Sequence, residues 1–280
     1  PTWNVVGRGG DPGADHTLVI VAHHDAAHTG MAFDFRAVRW YAERFPGWLE
    51  RGRAWPSTMK LLFAGPVLVA LGSLLGLRPV RRLGTGLSAT AVLAMADIGR
   101  SAVVPGANDN LSAVAALLEV ARRLADEPVR GVRVLFVSTG SEESFEEGMA
   151  GFLARHEAEL PRESTDILVL DTVGSPRLIL LEGEGMLVRR PYDDGLKDTV
   201  QAAARDAGVE IIREHWLSFG SDALLALRKG YRTALIASFD EHKLPANYHQ
   251  HTDTADRIDY DTVADAAKVT EATVRRLARA

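Results

Sequence analysis

Cysteine is absent from the 280-residue chain, and its absence excludes three kinds of chemistry. The protein can have no disulfide bond, no thiolate metal site and no cysteine nucleophile. Any metal ion must therefore be held by histidine, aspartate or glutamate side chains. The lack of cysteine does not by itself identify the cellular compartment.

The chain also lacks an excess of positive charge. It has 32 lysines and arginines against 37 aspartates and glutamates, which gives a formal net charge of -5. We therefore expect no nucleic-acid partner, because no face is set up to neutralise phosphates. The sequence begins at Pro1 with neither an initiator methionine nor a signal peptide, so we expect a processed or trimmed piece.

Short apolar runs alternate with amphipathic helical patterns from about residue 108 onward. The runs cover 132–138, 167–171, 177–183, 209–214 and 233–239, and a further run covers 17–22. The helical patterns cover 110–127, 192–208 and 260–280. This alternation predicts an α/β fold, a three-layer sandwich around a mostly parallel mixed central sheet.

Residues 31–104 interrupt this alternation. They contain two apolar runs, 61–77 and 83–96, joined by the basic stretch "RPVRRLG". We interpret the segment as an inserted apolar helical hairpin. The remaining α/β domain then consists of residues 1–30 and 105–280.

The composition of the segment favours contact with a membrane. Aromatic rings and arginines precede the apolar runs, as in an interfacial belt. They are Phe33, Phe35, Trp40, Tyr41, Phe45, Trp48 and Trp55, with Arg36, Arg39, Arg44, Arg51 and Arg53 between them. A helix of 17 residues spans about 26 Å, near the lower limit for a bilayer of about 30 Å, and Asp97 disfavours a complete crossing.

We therefore expect a membrane-associated protein, with a soluble or secreted protein as the alternative location. The alternative role of residues 31–104 is a helical cap over the active site or a contact between the subunits of a homodimer.

Histidines and acidic residues cluster where the predicted strands end, which is where open α/β sheets bind their ligands. They are His23 and Asp25 after 17–22, Glu142 and Glu143 after 132–138, Asp171 at the end of 167–171, His249 after 233–239, and Asp109 at the start of a helix. We interpret Asp109, Glu143 and Asp171 as supplying three of the four negative charges that two zinc ions require, with hydroxide as the fourth. His23 and His249 would complete the coordination, leaving an open position for water.

The other residues of these motifs suit supporting roles. Asp25 is placed to accept the second ring N–H of His23. Glu142 is free to take a proton from metal-bound water. We interpret His24, His28 and His251 as loop residues and Ser218, Ser221 and Asp222 as helix caps. The stretch "SEESFEEGMAGF", which contains the Glu pair, is bulky and acidic.

These motifs resemble metallopeptidase family 28, which includes bacterial leucyl aminopeptidases and glutamate carboxypeptidases. The resemblance rests on "AHHD", "GANDN", "SEES", "LDTVG" and "YHQHTDT", and it covers residues 1–30 and 105–280. It implies the zinc exopeptidase fold, with His23 and Asp171 on one Zn2+ ion, Glu143 and His249 on a second, and Asp109 bridging them. In the family a short loop separates the positions of Asp25 and Asp109, whereas here residues 31–104 intervene.

The resemblance also implies an activity. A di-zinc exopeptidase, best interpreted as an aminopeptidase, would hydrolyse peptide substrates through a metal-bound hydroxide, with Glu142 as general base. Co2+ or Mn2+ are alternative metals, because the ligands are all oxygen and nitrogen. The alternatives are a glutaminyl cyclase with a single zinc ion and a non-catalytic membrane receptor or scaffold of the same fold. His23 and Asn110 favour the two-metal peptidase over the cyclase.

Overall fold

The computed structural model describes residues 2–47, 58–213 and 215–279. Of the predicted interfacial belt, Trp48, Trp55, Arg51 and Arg53 lie outside the described residues. The prediction for these four positions is therefore not tested here.

Eighteen strands and helices are defined in this part of the chain. The strands are β1 (Val5–Gly10), β2 (Thr17–His23), β3 (Arg133–Thr139), β4 (Thr165–Leu170), β5 (Arg177–Leu180), β6 (Gly183–Glu184), β7 (Arg190–Pro191), β8 (Ile212–Arg213), β9 (Trp216–Leu217) and β10 (Arg232–Phe239). The helices are α1 (Arg36–Arg44), α2 (Thr58–Leu74), α3 (Arg78–Ile98), α4 (Ser112–Asp126), α5 (Glu147–His156), α6 (Asp194–Asp206), α7 (Asp222–Arg228) and α8 (Tyr260–Leu277).

The central sheet has seven strands in the order β1-β3-β2-β4-β10-β5-β8. The pairs β3–β2, β2–β4, β4–β10 and β5–β8 are parallel, whereas β1–β3 and β10–β5 are antiparallel. The prediction of a mostly parallel mixed sheet is confirmed. Strand β1 was not predicted, and the run 209–214 contributes only two residues to the sheet.

Helices cover both faces of the sheet, and this produces the predicted three layers. Along β2, Leu18 and Ile20 point into a core formed with α4, α6 and α8. The alternate residues Val19 and Val21 point into a second core, formed with α5 and α7. Because both faces of β2 are buried, its residues 18–22 are all apolar rather than alternating.

Main-chain hydrogen bonds join the chain just before residues 31–104 to the end of that segment. The Thr29 N–H donates to the Ala102 carbonyl at 3.1 Å, and the Val104 N–H donates to the Ala27 carbonyl at 2.9 Å. Between these points the chain forms α1, α2 and α3, and α2 packs against α3. Among the described residues, no helix combines the length and the apolar character that crossing a membrane requires.

Candidate metal centre

His23 is the last residue of β2, and the sheet holds its ring in a buried position, 2% exposed. Its Nδ1 lies 3.2 Å from the main-chain carbonyl oxygen of Asp25 and 3.5 Å from the Asp25 carboxylate. The Asp25 carboxylate also accepts hydrogen bonds from the N–H groups of Glu142 (3.0 Å) and Glu143 (3.1 Å). Asp25 therefore connects the loop after β2 with the loop after β3.

Asp109 lies between the two histidines. Its Oδ1 is 3.2 Å from His23 Nε2, and its Oδ2 is 3.2 Å from His249 Nε2. The carboxylate is buried in the turn that precedes α4. The buried Asp253 carboxylate fixes this turn by accepting the main-chain N–H groups of Asn108 at 2.7 Å and Asp109 at 3.1 Å. The two oxygens of Asp109 thus face two different imidazole rings.

The two glutamates after β3 face different histidines. Glu143 Oε2 lies 3.3 Å from His249 Nε2, whereas Glu142 Oε2 lies 4.0 Å from His23 Nε2. Ligand atoms of His23, Asp109 and Glu143 all lie within 4.8 Å of one another. The structure therefore brings His23, Asp109, Glu143 and His249 into one cluster, with Glu142 at its edge.

Asp171 stands directly after β4, between the ends of two neighbouring parallel strands. Burial raises the pKa of its carboxyl to about 7, against the attraction of His23 and with added repulsion from Asp109 and Glu143. Asp171 is thus close enough to interact electrostatically with the cluster. All seven residues predicted for the site lie at this edge of the sheet.

The charges in the cluster act on one another strongly. Burial opposes protonation of His249, but Asp109 and Glu143 raise its pKa to about 9. The pKa of Glu143 is raised by burial and by the nearby Asp109, although His249 partly counteracts this effect. A divalent cation among these carboxylates would relieve their mutual repulsion.

Buried polar atoms without a hydrogen-bond partner mark where a cation would fit. Among the described residues they include Asp109 Oδ2, Glu143 Oε1 and His249 Nε2. The 3.2–3.3 Å approaches to His249 Nε2 therefore do not have hydrogen-bond geometry. Two atoms bound to one tetrahedral zinc ion at 2.0–2.1 Å lie about 3.3–3.4 Å apart, which is close to the observed spacing. The donor set of imidazole and carboxylate also suits zinc.

Aromatic rings that the sequence analysis did not assign to the site pack beside His249. Tyr248 stacks on its ring with centroids 3.9 Å apart, and the Phe33 ring lies 4.2 Å away at an angle of 57°. Phe35 and Phe219 each lie 6.4 Å from Tyr248. Phe33 and Phe35 were predicted for a membrane belt; both rings are half-buried and pack beside the site, so these contacts give that prediction no support. We call Phe33, Phe35, Phe219 and Tyr248 the aromatic wall.

Polar contacts fix the segment that carries Phe33. The Gln250 side-chain amide donates to the Phe33 carbonyl at 3.1 Å, and Arg39 forms an ion pair with Asp240 at 3.0 Å. Asp240 directly follows β10, and Gln250 lies in the loop after that strand. No spacing rule predicts these contacts, because residues 33 and 250 are far apart in the sequence.

Asp222 lies near the cluster, and the sequence interpretation treated it only as a helix cap. Ser221 is the residue that caps α7, since its Oγ accepts the Ala223 N–H at 3.1 Å. The buried Asp222 carboxylate instead accepts a hydrogen bond from the Thr139 hydroxyl at the end of β3. It therefore ties α7 to the strand that leads into the Glu142–Glu143 loop.

The remaining histidines of the motifs have contacts of their own. His24 Nδ1 shares a 2.9 Å hydrogen bond with the Ser138 hydroxyl, and His28 Nδ1 donates to the Ser101 carbonyl at 2.7 Å. His251 is exposed. These contacts agree with the interpretation of all three as loop residues.

The fold is thus that of a three-layer α/β protein with its polar centre at the strand ends. A sequence model of Peptidase family M28 matches residues 85–274, more than half of the chain, and the protein belongs to this family. The match begins inside α3, so it gives no support for a domain boundary at residue 104. The chain is 26% identical over 239 residues to a protein of Mycobacterium tuberculosis described as a probable lipoprotein aminopeptidase, LpqL. This alignment covers 76% of the chain but 46% of LpqL, so the chain spans less than half the length of that relative.

Solved structures share the fold at low sequence identity. The aminopeptidase from Aneurinibacillus sp. strain AM-1 superposes with a TM-score of 0.58 at 18% identity, over 97% of this chain and 47% of that one. A leucine aminopeptidase precursor from Bacteroides thetaiotaomicron gives 0.61 at 17% identity, over 97% and 76%. A glutaminyl cyclase from the same organism gives 0.60 at 16% identity, over 98% and 77%. Because the fold hosts both named activities, the site must decide between them.

Proposed function

We propose that the chain is a zinc-dependent aminopeptidase with two zinc ions per chain. His23 and Asp171 would hold one ion, Glu143 and His249 the other, and Asp109 both. The observation that carries this proposal is the position of Asp109, whose two oxygens each lie 3.2 Å from a different imidazole nitrogen. A site for a single ion needs no carboxylate shared in this way.

The metal and the side chains would have separate tasks. Zinc, when bound, supplies a Lewis acid that polarises the scissile carbonyl and lowers the pKa of water. Glu142 Oε2 takes a proton from the attacking water and returns it to the leaving amine nitrogen. Asp25 holds the main chain at Glu142 and Glu143 in place, because its carboxylate accepts hydrogen bonds from both of their main-chain N–H groups.

The aromatic wall indicates which substrates the site prefers. It places apolar ring surface directly against His249, within reach of a substrate bound at the metal. We infer a preference for peptides with a bulky apolar N-terminal residue, since the wall offers such a side chain a dry surface.

The test is a single substitution with a matched control. Glu142→Gln removes the proton acceptor and keeps the shape, so we expect turnover of aminoacyl anilides to fall by about 10²–10⁴-fold with zinc content unchanged. Glu147→Gln makes the same change at the exposed first residue of α5 and should leave both unaffected. A fully active Glu142→Gln protein would contradict the proposal.

The likeness to a glutaminyl cyclase structure makes that activity the second candidate. The two candidates differ in metal content and in product. A peptidase of this kind carries two zinc ions and releases the first residue of a peptide. A cyclase carries one ion and releases ammonia from an N-terminal glutamine. Elemental analysis combined with an ammonia assay on a glutaminyl peptide separates them.

Residues 31–104 are proposed to be an inserted unit. The main-chain hydrogen bonds at 27–29 and 102–104 bring its two ends side by side, as an insertion requires. Because LpqL is described as a lipoprotein, we propose that this chain too works at a membrane surface.

A further inference from the structure

The packing of α2 against α3 is inverted relative to that of a water-soluble helix pair. Among the residues of α2 and α3 whose burial is described, the buried ones are Gly65, Gly72 and Gly84. A Cβ atom at Gly65 would lie 2.8 Å from the Ser88 nitrogen, one at Gly72 would lie 2.5 Å from the Arg81 nitrogen, and one at Gly84 would lie 2.6 Å from the Val69 nitrogen. Two helix backbones this close need small residues between them, an arrangement typical of helices in lipid.

Many large apolar side chains of the pair are exposed instead. The exposed ones are Phe63, Val67, Leu71, Leu74, Leu75, Leu77, Leu83, Val92, Leu93 and Met95. Leu74 is 82% exposed and Leu75 is 66% exposed, at the connection between the helices. So many exposed large apolar side chains on one helix pair are uncommon on a protein surrounded only by water.

Apart from Asp97 near the end of α3, the charged residues of α2 and α3 are all cationic. From Thr58 to Ala96 the sequence contains no aspartate or glutamate, but it contains Lys60, Arg78, Arg81 and Arg82. The three arginines are exposed and stand beside Leu74, Leu75 and Leu77 at the helix connection. One end of the pair thus offers apolar side chains and cationic groups together, the chemistry that recognises an anionic lipid surface.

We propose that α2 and α3 dock on an anionic lipid bilayer through their connection. Leu74, Leu75 and Leu77 enter the acyl region, and the neighbouring arginines contact the phosphate headgroups. The active site lies on the α/β domain, outside this contact, and would remain in water. The proposal does not depend on the peptidase activity, and the two can fail separately.

Flotation with vesicles tests the proposal on the full chain. The wild-type chain should float with vesicles of phosphatidylcholine and phosphatidylglycerol, less with phosphatidylcholine alone, and less again in high salt. Replacing Leu74, Leu75 and Leu77 with Gln should lower the partition coefficient at least about tenfold. Replacing Arg78, Arg81 and Arg82 with Gln should remove the preference for anionic vesicles.

Leu118→Gln is the matched control, because Leu118 is a 62% exposed leucine on α4. It should leave flotation unchanged, and unaltered anilide hydrolysis would show that every variant is folded. The proposal is overturned if the wild-type chain stays at the bottom of the gradient, or if the control loses as much binding as the leucine variant. A dimer that depends on the three leucines, without flotation, would likewise overturn it in favour of a subunit interface.

Discussion

Asp253 supports the metal centre without being a predicted ligand, and its replacement by asparagine tests how the turn that carries Asp109 is held. The carboxylate is fully buried and accepts two main-chain N–H groups, from Asn108 at 2.7 Å and from Asp109 at 3.1 Å. In Asp253→Asn one acceptor oxygen remains, and the new NH2 group faces the other N–H. One buried donor then loses its partner.

The size of the effect follows from these contacts. A hydrogen bond to a charged acceptor contributes about 1.5–3 kcal/mol, and an unpaired buried donor costs about 1–3 kcal/mol. We therefore expect the free energy of unfolding to fall by about 2–3 kcal/mol. Because the displaced turn carries Asp109, zinc affinity should also fall by about 10–100-fold, as for residues that orient metal ligands.

Urea unfolding of the zinc-free protein measures the first effect, and a competition titration with a chelating dye measures the second. The zinc-free form is needed because bound metal would itself stabilise the fold. Asp256→Asn is the control, since Asp256 is exposed three residues further on, and it should change stability by less than about 0.5 kcal/mol. Equal stability and equal zinc affinity for Asp253→Asn and the wild-type chain would refute the reasoning.

Three further substitutions have expected outcomes. Phe33→Ala removes the ring 4.2 Å from His249 and should raise KM for bulky apolar substrates more than for alanyl substrates, measured with a series of aminoacyl anilides. Gly84→Ala places a Cβ 2.6 Å from the Val69 nitrogen and should destabilise the protein by about 1–3 kcal/mol in urea unfolding. Burial raises the pKa of Glu146 to about 7, above its unfolded value of 4.5, so its contribution to stability is full below pH 4.5 and lost by pH 7. Glu146→Gln should therefore increase stability at pH 8 by roughly 3 kcal/mol relative to pH 4, measured as the difference from wild type.

Each of these substitutions has a control at a residue of the same type. Phe45→Ala changes an exposed ring at the end of α1 and should leave the substrate preference as it is. Gly86→Ala adds a Cβ with open space around it, so α3 should be unchanged or slightly more stable. Glu147→Gln changes an exposed side chain and should alter stability by less than about 0.5 kcal/mol. If a substitution and its control gave equal results, the role assigned here to the substituted residue would be contradicted.

The sequence was sufficient to predict the layers of the fold because the buried strands are uniformly apolar and the helices are amphipathic. It was not sufficient for β1, whose sequence "VVGRGG" is half glycine and pairs only at the edge of the sheet. The short β8 likewise depends on its pairing with β5 more than on its own composition. An edge strand forms because of its pairing with the neighbouring strand, and the local sequence pattern carries no information about that pairing.

A site residue could be predicted from the sequence when it stands at the end of a strand, but not when it reaches the site through the folding of a distant segment. Residues directly after a strand, such as His23 and Asp171, could be placed because parallel strands end at one edge. Phe33 could not, because its contact with His249 depends on how residues 31–44 fold back over the loop after β10. Its aromatic and arginine neighbours suggested a lipid interface, whereas packing against Tyr248 accounts for the ring.

The central claim is that Asp109 is shared by two ions, and anomalous diffraction from crystals grown with zinc tests it most directly. The account predicts two anomalous peaks, one beside His23 and one beside His249, on either side of the Asp109 carboxylate. A single peak, or none within reach of both histidines, would contradict it.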